Sequence, residues 1–249
     1  MKDTEKTLWL FGDSYLSEKH EFMLGGQDII SYWQTIAKET ECNDIKNTAL
    51  GGTSIEWVFY QYNEAMKNIK KNDIIIIGIT NLKRRWLFKD YPHVTNLELA
   101  KFAKFKGERM EEALAHIYLD PFHEIAAQKL DLFLKLLTYH QKEIGFEVIL
   151  LDAFSNNVTC GYSETFLKSK GTLHNISQQE HSRSRAKYNQ NFFLNNQDVR
   201  LNHLTQINHN ILADKILNSI KTRECIDLET GFKTDFVDLY EMKKEILNG

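Results

Sequence analysis

The segment from Asp73 to Gly78 reads DIIIIG, an apolar run without the alternation of a half-exposed strand. A strand that is apolar on both faces must be covered on both, the situation of a parallel sheet between layers of helices. Two other runs share this character, Thr7–Phe11 and Glu147–Leu151, and a less apolar one covers Asp44–Ala49. Helical patterns occupy Asp28–Glu39, Ser54–Ile69, Leu97–His116, Pro121–Glu143 and Leu204–Ile220. Strands alternating with helices predict an α/β chain, a single three-layer α/β/α domain over residues 1–249. With 249 residues, 42% of them hydrophobic and 26% charged, the chain can bury a core without a disulfide or a structural metal.

That architecture says where chemistry belongs. Ligands of open parallel sheets bind beyond the carboxyl ends of the strands, near the topological switch point. The loops to inspect are Gly12–Ser17, Leu50–Thr53, Ile79–Arg85 and Asp152–Cys160. Two helical patterns separate the third and fourth strands where one crossover would suffice. The stretch from Leu82 to Leu119 therefore reads as an insertion, rich in Trp86, Phe88, Tyr91, Phe102 and Phe105. It is either a lid or a further layer packed on the sheet. Residues 222–249 read as a C-terminal extension with a turn at Glu229–Gly231 and a short terminal helix.

Four short blocks carry the chemical signal. Gly12-Asp13-Ser14 follows the first strand directly, and a small residue at position 12 permits a sharp turn that presents the serine hydroxyl. Taken alone, Asp13 and Ser14 could equally cap a helix or close a turn. The second block runs from Asn47 to Ser54 and contains Gly51 and Gly52; the third is Gly78-Ile79-Thr80-Asn81; the fourth is Leu201-Asn202-His203-Leu204-Thr205. In order and residue type the blocks resemble those of the SGNH (GDSL-like) serine hydrolases, whose members supply a serine, a glycine, an asparagine and a histidine in this sequence. The wording of the third and fourth blocks looks most like that of bacteriophage-encoded members.

The resemblance implies a flavodoxin-like SGNH hydrolase fold and hydrolysis of carboxylic esters through an acyl-serine, with O-acetyl groups on glycans as the first substrate guess. Serine-based ester cleavage needs a base for the hydroxyl proton and donors aimed at the oxygen that turns negative. Ser14 is the expected nucleophile and His203 the expected base. Ser14, Gly52 and Asn81 are the expected oxyanion-hole donors, Gly52 being favoured over Gly51 because it stands five residues after Asn47. The chain departs from the family pattern at two of these positions. Asn81 stands three residues after Gly78 rather than two, which leaves Thr80 as a fallback. Arg200 occupies the place of the aspartate that would orient the histidine, so Asp198 ranks first as the third triad member, ahead of Asn202 or a backbone carbonyl.

Other features set bounds. A net charge of −3 gives no global basic field, so neither nucleic acid nor an anionic membrane is an expected partner. Cys42, Cys160 and Cys225 are odd in number and widely spaced, and nine histidines show no paired metal spacing. No metal or other cofactor is expected. No segment has the apolar length of a membrane span, and the residues before Gly12 lack a signal-peptide core, so a cytoplasmic or virion-associated protein is expected. Lys83-Arg84-Arg85 reads as a solvated basic turn in preference to an anion-attracting patch. His209 reads as structural, and Glu111-Glu112 as exposed charge. Two rival functions stand: a non-catalytic SGNH-like binding or structural module, and a flavin- or nucleotide-binding protein. The second would need a phosphate-cradling loop after the first strand, for which Phe11–Ser17 (FGDSYLS) is poorly suited.

Overall fold

The structure, a computed structural model, describes residues 5–17, 30–82, 84, 86, 122–154, 165–180, 204 and 206–233, with the backbone alone at 122–124 and 177–180. In chain order the elements are β1 (Thr7–Phe11), α1 (Tyr32–Glu39), β2 (Asp44–Asn47), α2 (Ile55–Ala65), β3 (Ile74–Ile79), α3 (Phe122–Ile144), β4 (Glu147–Asp152), β5 (Leu167–Lys170), α4 (Leu173–Glu180), α5 (Gln206–Thr222) and β6 (Ile226–Asp227). A single 3₁₀ turn, Met66–Asn68, follows α2. The six strands form one parallel sheet in the order β2-β1-β3-β4-β5-β6. This is the flavodoxin-like order 2-1-3-4-5 with one further strand at the β5 edge. The chain steps outward from β1 to β2 and then returns to β3, so the switch point lies between the carboxyl ends of β1 and β3.

Alternation within the apolar strands sorts their side chains between two faces. Leu8, Leu10, Ile74, Ile76, Ile149 and Leu151 join α1 and α5 in one buried cluster. Trp9, Phe11, Ile75, Ile77, Val148 and Leu150 join α2 and α3 in the other. Every residue of β3 is buried, as its uninterrupted isoleucines require. At the amino ends of the strands, the buried Asp73 carboxylate accepts hydrogen bonds from the Thr7 N–H, the Lys70 N–H and the Trp9 indole, each at 2.9 Å. A buried carboxylate is tolerated when its lone pairs are filled in this way.

Some boundaries and elements differ from the sequence expectation. The helix before β2 begins at Tyr32, with Ser31 as its N-cap residue. Ser54 caps α2 by accepting the Trp57 N–H at 3.4 Å. Two strands and a helix were not expected. β5, Leu167–Lys170, turns only Leu167 and Ser169 inward, so its sequence LKSK looks polar. β6 has just two residues, yet Ile226 and the following Leu228 are buried in the core, so part of the segment read as a C-terminal extension completes the sheet. α4 was hidden in the polar run LHNISQQE. The expected helix Leu97–His116, the terminal helix and most of the expected insertion lie outside the described residues. Of that insertion, Leu82 is buried in the α2/α3-side core, and Trp86 packs at 5.2 Å against the rings of both Trp57 and Tyr60.

Candidate active site at the carboxyl edge of the sheet

Ser14 is placed by a tight turn that begins where β1 ends. The Asp13 carbonyl accepts the N–H groups of Leu16 and Ser17, at 3.0 and 3.1 Å, and the Asp13 carboxylate accepts the Tyr15 N–H at 3.1 Å. Ser14 is thus held between two neighbours committed to the turn, and it is half-buried at the sheet edge. The smallness of position 12 has a different cause from the one expected. Gly12 does not adopt a left-handed conformation; a Cβ there would lie 3.2 Å from the Gly78 backbone and from Leu16 Cδ1. Crowding by the Gly78 backbone and Leu16, not a left-handed backbone, is what disfavours a side chain here. By contrast, Gly52 has φ +73°, the left-handed region that favours glycine.

The glycine loop is stitched onto the serine turn. The Gly12 carbonyl accepts the Leu50 N–H at 3.1 Å and the Thr53 hydroxyl lies 3.2 Å from it. Asn47 braces both: its amide donates to the Leu16 carbonyl at 2.7 Å, and its side-chain oxygen accepts the Ala49 N–H at 2.9 Å. A Cβ on Gly51 would sit 3.5 Å from Ser14 Cβ, so this loop lies directly against the serine. Asn81 is half-buried two residues beyond β3, and its carbonyl accepts the Arg84 N–H at 3.0 Å, closing a turn.

One buried polar knot joins the three loops. The Thr80 hydroxyl lies 2.8 Å from the Thr53 carbonyl and 3.3 Å from Asp13 Oδ2. The Arg84 guanidinium donates through Nη1 to Asp13 Oδ2 at 3.0 Å and to the Thr80 hydroxyl at 2.8 Å. Asp13, Thr53 and Thr80 are fully buried, and each adjoins one expected site residue in the chain: Ser14, Gly52 and Asn81 respectively. The knot fixes the neighbours of all three. It also removes Thr80 as a fallback donor, because its single proton is engaged inside the knot. The reading of Lys83-Arg84-Arg85 as a solvated turn fails at Arg84, whose side chain is only 16% exposed and is paired with a carboxylate that is 0% exposed.

His203 and Asp198, with Arg200 and Asn202, lie outside the described residues. Leu204, next to His203, is buried in the same cluster as Tyr15 and Leu16. His209 is buried between α1 and α5, stacked on Tyr32 with ring centroids 5.8 Å apart and its Nδ1 accepting the Tyr32 N–H at 3.4 Å. That is a packing role.

Sequence reasoning missed an imidazole that the structure does place at this edge, that of His174. His174 opens α4 beyond β5, with Nδ1 3.2 Å from the Tyr15 hydroxyl and its ring 5.2 Å from that of Phe154. Arg84 lies over the other partner of this cluster, its guanidinium carbon 4.7 Å from the Phe154 centroid. Burial pushes the His174 imidazole below its usual range; the Arg84 charge adds to that effect and Asp13 opposes it. Burial, aided by the Asp13 charge, likewise pushes the Tyr32 phenol far above its ordinary range. Nothing in the local sequence around His174 marks it, since its neighbours at the site come from the loops after β1, β3 and β4.

No protein-family model matches the chain, and no curated protein matches it. Among solved structures, protein YxiM from Bacillus subtilis is similar, with 14% sequence identity and a TM-score of 0.45 over 88% of this chain. The chain spans 57% of the length of that structure. Among the described residues, no helix is long and apolar enough to cross a membrane.

Proposed function

We propose that the chain is a serine hydrolase of the SGNH kind that cleaves carboxylic esters. The observation that carries this reading is the knot of Asp13, Thr53 and Thr80, which holds Ser14, Gly52 and Asn81 at the switch point between β1 and β3. In this reading His203 takes the Ser14 Oγ proton as the oxygen attacks the ester carbonyl. The resulting oxyanion receives hydrogen bonds from the Ser14 and Gly52 N–H groups and the Asn81 amide. His203 then returns the proton to the departing alcohol, leaving an acyl-serine, and water activated by the same imidazole releases the acid. Asp198 is the proposed acceptor that orients His203. The burial of Leu204 in the core cluster that also holds Tyr15 and Leu16 supports a path that brings His203 to this edge. The substrate class proposed is a small acyl ester, with O-acetyl groups on a glycan first, and the chemistry calls on no metal or other cofactor.

The test is labelling with a fluorophosphonate, which phosphonylates an activated serine, followed by mapping of the adduct. The adduct is expected on Ser14, and Ser14→Ala should abolish both labelling and turnover of a simple acetyl ester. A folded Ser14→Ala variant with undiminished turnover would overturn the assignment.

A further inference from the structure

We infer that Arg84 is a positioning residue for the nucleophile: by pairing with Asp13 it locks the Ser14 turn to the loop that carries Asn81. The inference rests on the serine-hydrolase reading and extends it to a residue whose local sequence gives no hint of a role. Asp13 is the pivot. One carboxylate oxygen accepts the Tyr15 N–H and so shapes the turn around Ser14; the other meets the Arg84 guanidinium and the Thr80 hydroxyl, which belong to the loop after β3. Arg84 also reaches the Thr53 carbonyl at 3.4 Å, beside Gly52. A single guanidinium nitrogen therefore touches the chain neighbours of all three proposed oxyanion donors.

The charge state of this arrangement matters more than its bulk. Removing Arg84 leaves the fully buried Asp13 without its cation, and a buried carboxylate stripped of its partner drives its surroundings to rearrange. The groups that would move are the ones carrying Ser14 and Asn81. A neutral replacement of both partners is different. An asparagine at position 13 could still accept the Tyr15 N–H through Oδ1, while its amide donates to Thr80 Oγ1, which Arg84 would no longer occupy. Asp13→Asn with Arg84 retained would instead set donor against donor.

The experiment measures fluorophosphonate labelling of Ser14 over a range of probe concentrations, together with the melting temperature, in four proteins: wild type, Arg84→Met, Asp13→Asn and the double variant. Arg84→Met should slow labelling at saturating probe by about 10²-fold, the scale of an ångström-sized misplacement, with the half-saturating concentration little changed. Arg84→Lys, a point charge without the planar fork, should recover part of that loss. The double variant should label faster than either single variant, a non-additivity that a shared network requires. Absence of label on wild-type Ser14 would overturn both the hydrolase reading and this one. Labelling of Arg84→Met at the wild-type saturating rate, even with a lowered melting temperature, would overturn the positioning role alone. If Arg84→Met does not fold, the double variant decides: a folded double variant labelling within about tenfold of wild type sustains the inference, and slow labelling defeats it.

Discussion

Adding one methyl group at Gly78 would disturb the candidate site without touching any polar atom. An ideal Cβ at this position would lie 2.6 Å from Leu16 Cδ1 and 3.6 Å from Gly12 Cα. Carbon contacts are optimal near 3.5–4.0 Å, so the Leu16 methyl must retreat by roughly 1 Å. It has little room: Leu16 is fully buried, and its N–H helps close the turn on the Asp13 carbonyl. Overpacking of this kind costs about 1–3 kcal/mol. Glycine-to-alanine in a strand interior returns roughly 0.5–1 kcal/mol through reduced chain entropy, so Gly78→Ala should be destabilised by up to about 2.5 kcal/mol net. For a chain of this size that lowers the melting temperature by up to roughly 10 °C. The larger effect falls on Ser14, two residues before Leu16. A displacement of roughly 1 Å in the turn should slow ester turnover or fluorophosphonate labelling by about 10²-fold. Leu16→Ala alone opens a cavity and costs about 2–5 kcal/mol. Combined with Gly78→Ala it should cost less than the two separately, because the new methyl fills part of the vacated space. Thermal denaturation and labelling kinetics on the three variants check this. If Gly78→Ala melts with the wild type and labels within twofold of it, the steric account of this edge is wrong.

Two further expectations concern the polar groups. Asn81→Ala should lower kcat by about 10²–10³ while leaving KM nearly unchanged, the signature of a donor that acts on the transition state; a change confined to KM would make Asn81 a substrate contact instead. Burial depresses the His174 and His140 imidazoles below the usual 6.5, so below that pH the unfolded chain takes up protons that the folded chain resists. The contribution of these two groups should therefore fall away as the pH drops beneath about 6.5, well before the Asp44 and Asp227 carboxylates titrate; melting curves that keep the same slope in His174→Asn/His140→Asn would refute this source.

How much of this was legible in the sequence depends on which kind of constraint wrote it. β1, β3 and β4 are buried on both faces, and continuous apolar runs with the right length announce them. β5 and β6 lie toward the sheet edge, where a few inward residues suffice, and no run of LKSK or ID type distinguishes a strand from a loop. Ser14, Gly52 and Asn81 were proposed from the resemblance of their blocks and from the rule that chemistry belongs in strand-end loops, and the structure puts all three in such loops, after β1, β2 and β3. Arg84 was not. Its partner is 71 positions away, and nothing in the basic run around it signals that Arg84 turns inward.

The two buried carboxylates make the same point from the structure. Asp73 and Asp13 are equally inaccessible, each at a strand end and each accepting a backbone N–H from a nearby residue. Asp73 is satisfied by neutral donors, the Thr7 N–H and the Trp9 indole of β1 and the Lys70 N–H of the turn before β3, and it joins the amino ends of β1 and β3. Asp13 sits on the turn that carries Ser14, where the chain leaves the ladder and the strand supplies fewer donors. There a guanidinium from the next loop takes their place. A carboxylate satisfied by its own sheet stabilises what is already rigid, whereas one satisfied from a neighbouring loop makes the position of that loop depend on the pair. The carboxyl edge is where such dependence is useful, because the proposed reaction needs three separate loops held in register around one oxygen.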